Sequence, residues 1–265
     1  VGLPRVLGGI PLDEIGATGY GLAIAAEVAA PMAGVDLDGA RVAIQGFGAV
    51  GQHAAWFLME RGAQMVAVSD SRGAVLSSNG LDVESLIAHK RNGAPVSLYA
   101  EGTPMGRDDL VDVECDIWIP AARPDVLHVT NVERLRAKLV LPGANIPATA
   151  GAELWMHENG ILYVPDFIAN AGGVICAAVE HRGGTEAQAM AAIEEKIRAN
   201  VTEVLARVRQ SDLSPEEAAI AMARERIVQA ESYHRFWRPT PPRTTEHRTI
   251  PTEPAASVHA LAAAT

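Results

Sequence analysis

Six residues stand out for their chemistry: Gly46-Phe47-Gly48-Ala49-Val50-Gly51. The spacing is G-x-G-x-x-G, which suits a backbone turn that holds phosphates. Gly46 permits the tight turn, Gly48 lets the main chain approach a pyrophosphate, and Gly51 allows a helix to pack closely on the strand before it. The N–H groups and dipole of that helix then face the anion. An acidic residue is expected at the end of the next strand to take ribose hydroxyls, and Asp70 lies nineteen residues after Gly51. Asp70 favours NAD, whereas Ser71 and Arg72 beside it could hold a 2′-phosphate and leave NADP open. A glycine turn kept only for packing is the alternative.

The surrounding chain supplies the elements such a turn needs. Arg41–Gln45 is a short apolar run of strand length before the turn, and a helix is expected from Ala49 to Arg61, ended by Gly62. Further strands are expected at Gln64–Ser69, Asp116–Pro120, Lys138–Leu141 and Ile161–Val164. Between them lie helical stretches at Leu81–Arg91, Val132–Ala137 and Thr149–Glu158, and another precedes the first strand at Gly16–Met32. Strands alternating with helices predict an α/β fold, a doubly wound, parallel, Rossmann-type sheet. C-terminal helices complete it: one begun by Asn170, a long amphipathic one over Thr185–Arg209, and one opened by Ser214-Pro215-Glu216-Glu217. The expected division is a dinucleotide-binding domain over residues 1–237 and a disordered Pro/Thr/Ala-rich tail over 238–265.

Composition narrows the class of function. The 265 residues carry a net charge of −10, which excludes the basic footprint of a nucleic-acid binder or an anionic-membrane binder. An anionic cofactor would therefore be held by local N–H groups, against the overall charge. No apolar run reaches the length of a membrane span; Leu22–Val35 is interrupted by Glu27 and Pro31. Two cysteines, Cys115 and Cys176, are too few for a disulfide framework or a structural zinc site and suggest reduced thiols in the cytoplasm. The eight histidines show no metal-ligand spacing, so no metal is expected. There is no G-x-S-x-G elbow and no Walker loop.

Four segments together resemble the cofactor-binding domain of the Glu/Leu/Phe/Val amino acid dehydrogenase family, most closely its glutamate branch. They are Gly16-Ala17-Thr18-Gly19-Tyr20-Gly21; the glycine turn with Val68-Ser69-Asp70-Ser71; Ile119-Pro120-Ala121-Ala122 followed by Gly143-Ala144-Asn145; and Pro165-Asp166 with Asn170-Ala171-Gly172-Gly173-Val174. The likeness covers roughly residues 1 to 235. It implies reversible NAD- or NADP-dependent oxidative deamination of an amino acid to a 2-oxo acid and ammonia, in an intact enzyme that is hexameric. It places Thr18, Asn145 and Asn170 near the nicotinamide, lines the dinucleotide crevice with Ala121 and Ala122, and turns Asn170, Val174 and Ala177 toward the substrate. Each residue also has a plainer reading: Thr18, Asn145 and Asn170 as caps, Val174 and Ala177 as core.

Two departures from the family pattern bear on the substrate. The glycine-rich loop ahead of the A-T-G segment reads Gly8-Gly9-Ile10-Pro11-Leu12-Asp13-Glu14 rather than G-G-S-x-G-R. Ala177 stands where glutamate enzymes carry a hydroxyl, which leaves leucine, phenylalanine or valine as alternative substrates. Gly183-Gly184-Thr185-Glu186-Ala187 resembles the glutamate branch and keeps glutamate first. The family's catalytic lysine and acid lie in a domain upstream of the A-T-G segment, and none of Lys90, Lys138 and Lys196 occupies such a position. The expectation is therefore a cofactor-binding part with no catalytic residue of its own, inactive alone, its substrate domain missing upstream. A non-catalytic dinucleotide-binding or regulatory module is the alternative. Asp166, four residues before Asn170, reads as a loop or capping acid rather than a catalytic one.

Overall fold

A computed structural model describes residues 2–211 and 213–233. The expected tail at 238–265 lies outside the described residues. One compact unit spans Val1–Arg224; the second, Glu225–Thr265, contributes described residues only through Tyr233.

The strands are β1 (Arg41–Gln45), β2 (Gln64–Asp70), β3 (Gly73–Leu76), β4 (Thr103–Met105), β5 (Ile117–Pro120), β6 (Leu139–Val140) and β7 (Leu162–Tyr163). They form one sheet in the order β4-β3-β2-β1-β5-β6-β7. The five strands expected from apolar runs are all present and pair in parallel. Two further strands make the sheet as a whole mixed: β3 pairs antiparallel with β2, and β4 antiparallel with β3. Asp70 pairs with Gly73 across a two-residue Ser71-Arg72 turn, which lacks the usual Asn-Gly signature. β4 contains Pro104 and sits at the edge, where a missing N–H costs no ladder bond.

The helices are α1 (Ala17–Ala29), α2 (Ala49–Met59), α3 (Val83–Arg91), α4 (Ala150–Glu158), α5 (Asp166–Ala169), α6 (Gly172–His181), α7 (Glu186–Gln210) and α8 (Pro215–Tyr233). Strand residues alternate between two cores, as a sheet covered on both faces requires. Val42, Ile44, Ile117, Ile119 and Leu139 meet α1, α2 and α7 on one face. Ala43, Trp118 and Val140 meet Leu110, Val132 and Met156 on the other. A register shift between Val42 and Ala43 sends Val66 and Ala67 of β2 to the same face.

Local signals set the helix ends. Asp82 accepts the Ser85 N–H to cap α3. Thr185 and Gln188 make a reciprocal capping box that starts α7. The helix expected at Val132–Ala137 is a single 3-10 turn, Val132–Arg134. Asn170 does not begin a helix, contrary to the sequence reading. Pro165 opens the one-turn α5, Asn170 closes it, and α6 starts at Gly172. Among the described residues no helix is long and apolar enough to cross a membrane.

Candidate functional site

The carboxyl ends of β1, β5 and β6 meet where the chain passes from one side of the sheet to the other, the place where open α/β sheets build ligand crevices. The glycine turn lies there. Gly46 has φ of +99°, and a side chain on it would strike Ala121 and Ala122 at under 3.0 Å. The N–H groups of Gly46 and Phe47 donate to the Ser69 carbonyl at 3.0 and 2.7 Å, tying the turn to β2. Gly51 packs so closely that a Cβ would lie 2.0 Å from the Gly46 carbonyl oxygen. A Cβ on Gly48, by contrast, would meet nothing within 4 Å. Gly48 is therefore the one glycine of the three that borders open space. No side chain caps α2, and the first-turn N–H groups of Ala49, Val50 and Gly51 have no acceptor within the helix. Bare donors beside open space suit an anion such as a pyrophosphate.

The other loops close on this turn. Ala121 donates its N–H to the Gln45 carbonyl at 2.7 Å, and Gly143 and Ala144 donate theirs to the Pro120 carbonyl. A Cβ on Gly143 would lie 3.0–3.1 Å from Ala121, Leu22 and Val50, a tight fit that those side chains would have to yield to. Thr18, on the first turn of α1, shares a shallow crevice with Ala49 and Val50. Its hydroxyl also abuts Gly173 at the start of α6. Asn170 Nδ2 donates to the Ala144 carbonyl at 3.2 Å and to Asn145 Oδ1 at 2.8 Å. Residues read from four separate segments thus form one rim: Thr18, Gly46–Gly51, Ala121–Ala122, and the Asn145–Asn170 pair.

Val174 and Ala177 lie on α6. Val174 is 74 % exposed, so it is not the core residue that its helical spacing also allowed. Ala177 is half-buried.

Asp70 ends β2 as expected but is 9 % exposed and already engaged. Its Oδ2 accepts Lys90 Nζ at 2.6 Å and the Val96 N–H at 3.1 Å, and its Oδ1 accepts the Arg72 N–H at 2.8 Å. Burial opposes the charged form, yet Lys90 and the two N–H groups outweigh it and hold the carboxyl below its usual range. A carboxylate has about four acceptor positions, so roughly one remains on Oδ1. Ser71 and Arg72 are exposed beside it, and Arg72 spends one guanidinium N–H on the Gly93 carbonyl.

Three features went unread in the sequence. First, Gln45 is 5 % exposed, and its Oε1 has no hydrogen-bond partner. It lines a cavity of about 300 Å³ with Trp118, Leu110, Val126, Arg107 and Arg123, directly before the glycine turn. Second, Lys90 binds Asp70. Third, Asp166 Oδ2 accepts the Ile146 N–H at 2.6 Å, next to Asn145. A larger cavity, of about 620 Å³, lies against α4, β7 and the start of α8. None of the cofactor- or substrate-site residues expected from the sequence lines it, and it lacks the bare N–H groups of the glycine turn. The candidate site is therefore the crevice at the turn. Among the described residues no group of three or more His, Cys, Asp or Glu side chains is arranged to hold a metal ion.

Fold and rim together define a Rossmann-type α/β domain with a glycine turn at its switch point. Residues 8–235 match the Glutamate/Leucine/Phenylalanine/Valine dehydrogenase family, and the chain belongs to it. It is 39 % identical over 240 residues to a glutamate dehydrogenase of Aeropyrum pernix, covering 86 % of this chain and 57 % of that protein. It is 41 % identical over 179 residues to an NADP-specific glutamate dehydrogenase of Saccharolobus shibatae, covering 68 % and 42 %. Its fold matches the hetero-hexameric glutamate dehydrogenase of Thermus thermophilus in a leucine-bound form, with a TM-score of 0.78, 26 % identity, and coverage of 90 % of this chain and 57 % of that one. The chain spans about half the length of the curated relatives it matches.

Proposed function

We propose that this chain supplies the NAD(P)-binding half of an amino acid dehydrogenase that interconverts glutamate with 2-oxoglutarate and ammonia. The observation that carries the reading is the glycine turn, with its bare helix N-terminus and open space at Gly48, one loop away from the Asn145–Asn170 pair. When bound, the nicotinamide would exchange a hydride with the substrate α-carbon. The chain's own residues would hold and orient the cofactor. First-turn N–H groups of α2 would take the pyrophosphate. The remaining Oδ1 position on Asp70 would take one ribose hydroxyl. Thr18, Asn145 and Asn170 would orient the nicotinamide, and Val174 and Ala177 would face the amino acid.

Both coenzymes stay within the proposal. Asp70 supports NAD, and exposed Ser71 and Arg72 support NADP. The family chemistry needs a lysine to polarise a carbonyl and an acid to move protons. Lys90 and Lys138 are ion-paired with Asp70 and Asp116, and Lys196 is exposed on α7. The proposal therefore assigns those groups to a substrate-binding half outside these residues, and places the intact enzyme in a cytoplasmic homo-oligomer, a hexamer as in the family. The apolar pair Val174 and Ala177 supports a second reading, with leucine, valine or phenylalanine as substrate.

The test is turnover. The 265-residue chain alone should form no NADH or NADPH from glutamate. Glutamate-dependent reduction by this chain would overturn the assignment of the catalytic groups elsewhere.

A further inference from the structure

Only two non-glycine residues among those described have positive φ: Asp125 at +51° and Ile146 at +49°. A β-branched residue in the left-handed region is an outlier, and such outliers concentrate at functional sites. Ile146 is 64 % exposed, so core packing does not explain its conformation. Its peptide is gripped on both sides instead. The Ile146 N–H donates to Asp166 Oδ2 at 2.6 Å, and the Ile146 carbonyl accepts the Asp125 N–H at 2.9 Å.

The N–H that Asp166 holds belongs to the peptide joining Asn145 to Ile146, so this contact fixes the backbone on which the Asn145 side chain stands. Asp166 is the first residue of α5, and Asn170 closes the same single turn. Asn170 holds the preceding part of the loop through the Ala144 carbonyl and Asn145 Oδ1. One four-residue helix thus clamps both ends of residues 144–146. Asp166 lines neither the crevice around the glycine turn nor the cavity under Gln45. Its carboxylate bonds run to the N–H groups of Ile146 and Phe167, so its route to the site is through the backbone beside Asn145.

We propose that Asp166 is a positioning residue for the nicotinamide end of the site: its carboxylate holds the strained Ile146 peptide and so presents the Asn145–Asn170 pair to the cofactor. This rests on the dinucleotide reading above. It separates the two halves of the ligand, because the nicotinamide end depends on Asp166 and the adenosine-diphosphate end does not.

The experiment uses the full chain and two probes, NADH and ADP-ribose, which lacks nicotinamide. Asp166→Ala should weaken NADH about tenfold, the lower bound for losing one charge-assisted hydrogen bond. ADP-ribose affinity should stay within about twofold of the parent. Asp166→Asn keeps an acceptor oxygen and should recover most of the NADH affinity. Ile146→Gly accepts positive φ without strain, so adding it to Asp166→Ala should also restore NADH affinity. A purely structural role for Asp166 would lower both probes together, and the glycine would not rescue them. Equal loss of both probes, unchanged NADH binding in Asp166→Ala, or no rescue by Ile146→Gly would each overturn the proposal. A parent chain that binds neither probe would overturn the dinucleotide reading itself, and this inference with it.

Discussion

The three glycines of the turn make separable demands, and alanine substitutions should part them. At Gly51 a methyl would sit 2.0 Å from the Gly46 carbonyl oxygen, where real side-chain carbons stay beyond 3.0 Å, so backbone must move by about 1 Å. Overpacking of this kind costs about 1–3 kcal/mol, and a backbone clash belongs at the upper end. The gain from replacing a helical glycine with alanine offsets about 0.5–1 kcal/mol. A net loss of about 2 kcal/mol lowers Tm by roughly 4–8 °C in a domain of this size. At Gly48 the methyl meets nothing within 4 Å. Its backbone is extended, at φ −89° and ψ −159°, and alanine tolerates that conformation. The fold should lose only about 0.5 kcal/mol, for a poorer N-cap. The methyl would instead occupy the space through which a pyrophosphate reaches the first-turn N–H groups. Losing one hydrogen bond to a charged group costs about 1.5–3 kcal/mol, or about 10–100-fold in Kd. Thermal melts and NADH titrations of both variants are the assay. Gly48→Ala should melt within about 2 °C of the parent and bind NADH at least tenfold more weakly; Gly51→Ala should lose both stability and binding. If Gly48→Ala bound NADH like the parent, or melted as low as Gly51→Ala, the reasoning about the turn would be refuted.

Three further outcomes follow from the same geometry. Asp70→Asn leaves the Lys90 ammonium without its carboxylate and should cost about 2–4 kcal/mol at pH 7, read by urea unfolding. Because the folded carboxyl titrates below its unfolded value, that difference is present above about pH 4 and should shrink as pH falls below it; a difference constant from pH 7 to pH 3 would contradict the ion pair. Burial, with Glu216 and Asp166 nearby, pushes the Glu153 carboxyl up to about 7 against a smaller opposing hydrogen bond from Tyr163. A raised carboxyl weakens the fold as pH rises from about 4.5 toward 7, so Glu153→Gln should stabilise the protein at pH 8 and change little at pH 4; equal effects at both pH values would remove burial as the cause. Cys115 and Cys176 are buried and unpaired, and burial pushes the Cys115 thiol up to about 12. An aromatic disulfide reagent at pH 8 should find neither thiol in the native chain and both after denaturation.

How much was legible before the structure depends on how local each signal is. The parallel strands were readable because apolar runs such as Asp116-Ile117-Trp118-Ile119-Pro120 sit between turn residues, and the glycine turn was readable because strand and helix flank it. β3 and β4 were not, since one follows a turn without a glycine signature and the other carries Pro104. Asp70 was found by spacing, but its partner Lys90 is twenty residues on and meets it only once α3 folds back. Apart from the glycine turn, the rim residues were named one by one through family likeness. Their joining, as in the Asn145–Asn170 bond, depends on two loops after different strands. Asn170 was misplaced at the start of a helix because asparagine favours N-caps, and Pro165 shifted the boundary. Ile146 gave no signal at all: nothing in a β-branched residue announces positive φ, and only the contacts from Asp166 and Asp125 show why it is held there.

The central claim is that a dinucleotide binds at the Gly46–Gly51 turn, and calorimetric titration of the 265-residue chain with NADH and NADPH tests it most directly. The account predicts saturable binding of at least one of them at one site per chain, weakened at least tenfold in Gly48→Ala. No saturable binding of either, or binding that Gly48→Ala leaves unchanged, would contradict it.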